Sequence, residues 1–188
     1  MLEKLLNKEA IQFGDAYRLR LFESVDINHV VKMLSNPNVQ KYLYFADEGR
    51  EEIYKAFFTP VAKSMEEAIK NKQKPDSLTL TILDQNNQFV GLVGAVALDF
   101  IPGVYELGYQ LRETYWRRGI ATQAAEILLQ ILRQDYNAHK VQADFYGQNV
   151  GSQKVSEKIG LKAEGRLKNY YKTKDGFDDK VIYGLALG

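Results

Sequence analysis

The order of apolar and polar positions along the chain predicts alternating strands and helices. Arg18-Leu19-Arg20-Leu21-Phe22 alternates charge and apolarity, the period of a half-buried strand. Asp26 stands where a helix N-cap would, and Ile27, Val30, Val31 and Leu34 follow at helical spacing. Asn36-Pro37 stops that helix, and Val39 to Phe45 forms another short turn or helix. From Glu51 to Asn71 a longer amphipathic helix sets Ile53, Phe57, Val61, Met65, Ala68 and Ile69 near one face, and Pro75-Asp76 ends it.

The texture then turns β-rich. Leu78 to Leu83 and Phe89 to Leu98 flank the turn signal Asn86-Asn87 and form a hairpin, and Pro102-Gly103 leads into a third strand over Val104 to Leu111. Helical spacing returns from Arg118, with Ile120, Ala124, Ile127, Leu128, Ile131 and Leu132. Val141 to Tyr146 is a strand, and Val150 to Ile159 is a short helix closed by Gly160. Leu161 to Tyr171 and Lys180 to Leu187 close the chain as strands around Lys174-Asp175-Gly176. The order β-α-α-β-β-β-α-β-α-β-β implies an α/β sheet with antiparallel parts and helix-covered faces. No repeat, low-complexity block or linker interrupts it, so residues 1–188 read as one domain.

Composition narrows the chemistry. At 188 residues, 45% hydrophobic, the chain can bury a real core. Twenty-five basic against 24 acidic residues leave a net charge of +1, which gives no global field for gripping nucleic acid or an anionic membrane. The absence of Cys excludes disulfides, thiolate metal sites and cysteine nucleophiles. His29 and His139 belong to no ligand spacing, so no metal is expected. No apolar run approaches a membrane span, and the opening Met1 to Lys8 is too short a greasy stretch for a signal peptide, so cytoplasm is the expected compartment.

The segment Tyr105 to Thr122 carries the most chemistry: a strand, a short loop, then Trp116-Arg117-Arg118-Gly119-Ile120-Ala121-Thr122 opening a helix. A helix start offers free N–H groups and a partial positive charge. Gly119 and Ala121 are small enough for a phosphate to approach the backbone, and Arg117 and Arg118 add cations. The segment reads as a seat for a diphosphate, or as a plain turn with solvated arginines. Gly-Lys-Ser/Thr and G-x-G-x-x-G are both absent, and Gly91-Leu92-Val93-Gly94 lies inside a strand. Asn149, with Ser152 one turn on, stands at the mouth of the next helix, as a cap or as a ligand-facing pair.

Tyr105-Glu106-Leu107-Gly108-Tyr109, Trp116 to Thr122, Asn149-x-x-Ser152 and Glu157-Lys158-Ile159-Gly160-Leu161 occur in that order. Arg18-Leu19-Arg20 and Asn36-Pro37-x-Val39 precede them. As an ordered set they resemble the GNAT-fold N-acetyltransferases, and more closely the RimJ/RimL-type branch that acetylates ribosomal-protein N-termini. Trp116 stands where the wider family often has Gln or Arg, and that branch commonly has an aromatic there. The resemblance implies a mixed, mostly antiparallel twisted sheet of about seven strands flanked by helices. It also implies acetyl-CoA as donor, an amine as acceptor and a monomer or homodimer. By the same carry-over, amides of Arg117, Arg118, Gly119, Ile120, Ala121 and Thr122 hold the pyrophosphate. Backbone at Tyr109, Gln110 and Leu111 pairs with the pantetheine arm, and Asn149 and Ser152 contact the arm or its sulfur end.

Without Cys, direct attack of the amine on the thioester is expected. Deprotonating an α-amine of pKa about 8 at pH 7 costs about 1.4 kcal/mol, against about 4.6 for a lysine near 10.4, so an N-terminal acceptor needs only a weak base. Glu106, in the middle of an otherwise apolar strand, is the candidate base. Burial would raise its pKa toward neutrality, or a salt bridge with Arg18 or Arg20 would occupy it. Ser152 is the first candidate to protonate the thiolate, with Tyr146, Tyr170, Tyr171 and Tyr183 as phenolic alternatives. Candidates for the acceptor pocket are Tyr42, Tyr44, Phe45, Asp47, Glu48, Asn169, Tyr170, Tyr171, Asp178 and Asp179. A ribosomal-protein N-terminus, another peptide, a polyamine or an aminoglycoside all fit such a pocket. A non-catalytic CoA-binding sensor is the alternative to an enzyme.

Overall fold

The β-branched and aromatic runs build one eight-stranded sheet, in the spatial order β1-β2-β3-β4-β5-β6-β8-β7. The computed structural model describes residues 1–43 and 51–188. The strands are β1 (Ile11–Phe13), β2 (Tyr17–Leu21), β3 (Leu78–Asp84), β4 (Phe89–Ala97), β5 (Val104–Leu111), β6 (Lys140–Tyr146), β7 (Lys162–Thr173) and β8 (Gly176–Ala186). The helices are α1 (Leu2–Leu6), α2 (Ile27–Leu34), α3 (Pro37–Gln40), α4 (Glu51–Asn71), α5 (Ile120–Asp135) and α6 (Val150–Lys158). Neighbouring strands are antiparallel except β5 and β6, which run parallel and are joined by the crossover helix α5 that a parallel pair requires.

Alternation along the strands gives the sheet two faces, each covered by helices. Tyr105, Leu107, Tyr109 and Leu111 of β5 share one face with α5 and α6. Tyr105 packs on Tyr136 at the end of α5, with ring centroids 5.6 Å apart, and the Tyr109 hydroxyl bonds to Ser152 in α6. Glu106, Gly108 and Gln110 look toward the side of α2 and α4. On that side Phe22 packs on Phe58 of α4 at 5.7 Å, and Thr81 reaches Asp26 at the head of α2. Leu19, Leu80, Val93, Leu107 and Val141 meet Leu128, Ile131 and Leu132 of α5 in the core.

The strand order expected from Arg18 onward is present, preceded by α1 and β1, so the sheet has eight strands rather than about seven. A three-residue strand is too short for periodicity to register. β8 begins at Gly176 rather than Lys180, because Asp178 and Asp179 made its first turn look like loop. Asn36-Pro37 does end α2, and it also begins α3: the Asn36 side chain accepts from the Asn38 N–H at 2.8 Å and Pro37 takes the first helical position.

In α4 the buried stripe is Tyr54, Phe58, Ala62, Met65, Ala68 and Ile69, whereas Ile53 and Phe57 are exposed and Val61 is half-buried. At 3.6 residues per turn, Tyr54 and Phe58 lie within about 20° of Met65, and Ile53 about 120° away.

Asp26 sits at the N-cap position, but its side chain does not cap α2. It is buried and accepts from Arg20 Nη1 and Nη2 at 2.7 Å each, Thr81 Oγ1 at 2.7 Å and the Glu23 N–H at 3.0 Å. This cluster fastens α2 to β2 and β3. Asp26→Ala should cost about 3–5 kcal/mol in urea unfolding, because the buried Thr81 hydroxyl and the Glu23 N–H lose their acceptor and half-buried Arg20 keeps only Glu23 as a charge partner. Lys55→Ala, which breaks an exposed i,i+4 pair with Glu51, should cost about 0.5 kcal/mol or less.

Candidate active site

β5 and β6 pair over only three positions, Val104↔Lys140, Tyr105↔Val141 and Glu106↔Gln142. Past Glu106 they part. Residues 107–111 keep β4 on one edge and, among the described residues, have no strand on the other; residues 143–146 pair with β8 alone. Free strand edges in mid-sheet are open to an extended ligand that completes the ladder. The Tyr109 phenol bridges from β5 to α6 and donates to the Ser152 carbonyl at 3.0 Å. Burial pushes this phenol above its ordinary pKa, outweighing the lowering by its hydrogen bonds toward Ser152 and Ser156, so it carries its proton at neutral pH.

β5 continues through a 3₁₀ turn (Glu113–Tyr115) into the loop before α5. Trp116 Nε1 donates to the Leu111 carbonyl at 2.8 Å, which ties the loop to the end of the strand. Arg117, with φ +62°, and Gly119, with φ +75°, turn the chain through left-handed conformations. Gly119 is the N-cap of α5 and supplies no capping side chain. The amides of residues 117–122 donate to no acceptor among the described residues. Open N–H groups at a positive helix end are groups to which an anion could bind. The mouth of α6 is different: Asn149 Oδ1 accepts from the Ser152 N–H at 3.1 Å, so the capping role of Asn149 is realised.

The other face holds Glu106, which is half-buried and accepts from Gln142 Nε2 at 3.3 Å. The salt bridge considered for it with Arg18 or Arg20 does not form: Arg20 is committed to Asp26 and Glu23, and the carboxylate that Arg18 acts on is Asp84. A Cβ built on Gly108 would meet nothing within 4 Å, so the surface beside Glu106 is open. Asp144, with 3% of its side chain exposed, forms an ion pair with Lys180, whose ammonium lies 5.2 Å from the Tyr170 ring centre. Burial draws the Lys180 pKa down, but Asp144, with help from Tyr170 and Glu106, outweighs it and holds it above the ordinary lysine value.

Tyr42, Tyr146, Tyr171 and Tyr170 form a row of rings with successive centroid distances of 5.9, 4.0 and 5.0 Å. Burial, then the Asp178 charge, raises the Tyr146 phenol. Asp178 accepts from the N–H groups of Gln148 at 3.1 Å and Asp179 at 2.8 Å. Asp179 takes the Asn169 N–H at 2.8 Å and Arg166 at 2.6 Å, and those two contacts hold its carboxyl below the ordinary range. These two acids therefore brace the last hairpin. Tyr183 points the other way, toward Glu157 of α6 at 3.4 Å. Tyr44, Phe45, Asp47 and Glu48 lie outside the described residues.

Sequence reasoning missed Gln142, Asp144, Lys180 and the phenol of Tyr109. Alternation along β6 puts Gln142 and Asp144 on one face, but only the pairing with β5 shows that it is the face of Glu106. Among the described residues no three His, Cys, Asp or Glu side chains are grouped to hold a metal, and no helix is long and apolar enough to cross a membrane.

A parted parallel pair with an open helix start beside it is found in a known class of enzymes. Residues 17–162 match the acetyltransferase (GNAT) domain, and the chain belongs to that family and is an acetyltransferase. The uncharacterized N-acetyltransferase YnaD of Bacillus subtilis is 28% identical over 171 residues, 89% of this chain and 91% of YnaD. Among solved structures, the ribosomal L7/L12 alpha-N-protein acetyltransferase RimL in complex with coenzyme A superimposes with a TM-score of 0.76 at 17% identity, covering 95% of this chain and 98% of RimL. Spermidine N-acetyltransferase from Vibrio cholerae, in complex with CoA and spermine, gives a TM-score of 0.75 at 16% identity, covering 93% and 97%. At such identities the likeness establishes the GNAT fold.

The Lys180 shift has a signed consequence. A folded pKa above the unfolded value stabilises fully below about pH 10.4 and ceases to do so as pH rises through the folded value. Asp144→Asn should therefore be less stable than the parent at pH 7 to 9, and the gap should close toward pH 11. Urea midpoints for both proteins across that range measure it. Six tyrosines raised by burial (Tyr105, Tyr109, Tyr115, Tyr136, Tyr146 and Tyr183) add an alkaline loss common to both, so the difference is the readout.

Proposed function

We propose that the protein moves the acetyl group of acetyl-CoA to an amine by direct attack, and that the acceptor is a protein N-terminal α-amine of the ribosomal-protein type. The observation that carries this reading is the juxtaposition of two unfilled backbone features: the free edge of β5 at residues 107–111 and the open amides of residues 117–122. An extended pantetheine arm suits the first and a pyrophosphate the second, with the thioester placed between the strands.

In this reading Glu106 takes the proton as the amine nitrogen bonds to the thioester carbonyl carbon. The carbon–sulfur bond breaks, and the departing thiolate receives a proton from Ser152 or Tyr109 at the mouth of α6. An α-amine costs about 1.4 kcal/mol to deprotonate at pH 7 against about 4.6 for a lysine, so an N-terminal acceptor asks less of Glu106. The motifs shared with the RimJ/RimL branch support the same acceptor. A small polyamine is the second reading, because the same fold serves a spermidine acetyltransferase.

A thiol-release screen with acetyl-CoA over peptide N-termini, polyamines and aminoglycosides tests the acceptor. Peptides are expected to give the highest kcat/KM, and spermidine turned over best would replace this reading with the second. Glu106→Gln should keep CoA affinity and lose turnover by about 10²–10⁴-fold in single-turnover assays. An unchanged rate would remove Glu106 from the role of base.

A further inference from the structure

The turn before the anion seat holds a second, unassigned cluster. The Tyr115 hydroxyl donates to Asp84 Oδ2 at 2.9 Å, and Asp84 Oδ1 accepts the N–H groups of Asn86 and Gln88 at 2.9 Å each. The ring is therefore anchored to the turn between β3 and β4. Two guanidinium groups gather on it: the Arg112 Cζ lies 5.8 Å and the Arg118 Cζ 5.4 Å from the ring centre. Arg112 also donates to the Phe89 carbonyl at 3.1 Å.

Neither arginine forms an ion pair among the described residues. The acid nearest in sequence, Glu113, is engaged by the side-chain amides of Asn36 at 3.0 Å and Asn38 at 2.7 Å. The charge acting on Asp84 is that of Arg18. Two arginines on one anchored ring, without an acidic partner, are preorganised for a multiply charged oxyanion. Arg118 belongs to the loop with the open amides, so this patch adjoins the diphosphate seat. Coenzyme A carries, one ribose beyond its diphosphate, a phosphomonoester.

We propose that Arg112 and Arg118, held on the ring of Tyr115, form the subsite for the 3′-phosphate of coenzyme A. The proposal rests on the acetyl-CoA reading above. Phosphate discrimination here makes the enzyme select coenzyme A over carriers that share its pantetheine arm and diphosphate but lack the third phosphate.

Calorimetric titration with CoA and with 3′-dephospho-CoA tests it. The wild type should bind CoA about tenfold more tightly or better, as expected for charge-assisted contacts to one phosphate. Arg112→Met should cut that preference to about threefold or less while dephospho-CoA affinity is kept, which also shows that the variant is folded. Tyr115→Leu, which removes the platform, should narrow the preference in the same direction. Equal affinity of the wild type for both ligands, or an equal loss on both in Arg112→Met, overturns the subsite and leaves the acetyl-CoA reading standing. Binding of neither ligand overturns the acetyl-CoA reading, and the subsite with it.

Discussion

The parting of β5 and β6 is the constraint on which the rest of the structure depends. A sheet with unpaired backbone groups in its middle forfeits hydrogen bonds that the other strand pairs make. The break comes at the one parallel pair, after three residues of register. It opens toward the carboxyl ends of the two strands, and those ends lead into α5 and α6. Both helix starts, with their positive ends, therefore stand at one opening. The two are finished differently. Asn149 satisfies the start of α6 from within the chain, whereas Gly119 leaves the start of α5 without a side-chain cap and open to an anion.

The same two-residue period that makes β5 a strand sends its side chains to two opposite faces. Tyr109 reaches α6 on one side; Glu106, Gly108 and Gln110 look out on the other, where Asp144, Lys180 and the tyrosine row stand. The Asp144–Lys180 pair is partly withdrawn from water, and its partners Tyr170 and Glu106 link the last hairpin to the centre of the sheet. Asp178 and Asp179, which look from sequence like free acids for an amine, spend their oxygens on backbone N–H groups and on Arg166.

Local signals carried most of the element order. Strand alternation, the helical spacing of α5 and the punctuation by Pro102-Gly103 and Gly160 act over a few residues, and the structure keeps them. The uncapped start of α5 was legible for the same reason: it depends on a glycine and a helix start adjacent in sequence. The misreadings share an opposite cause. The phase of α4 is set by what Tyr54 and Phe58 pack against, not by which residues are most apolar. The alternative of a salt bridge from Glu106 to Arg18 or Arg20 does not form, because β2 and β5 lie three places apart in the sheet.

The sequence alone determined the alternation of strands and helices, the exclusion of cysteine chemistry and the glycine-led start of α5, since each is written in residue type and short spacing. Tertiary structure decided which charges meet. Glu106 with Gln142, Asp144 with Lys180, and Arg112 with Arg118 over one ring come together through strand register and loop docking. The physical reason is range: backbone preferences act between near neighbours, while pairing of distant groups is fixed only when the sheet closes its register and buries its faces.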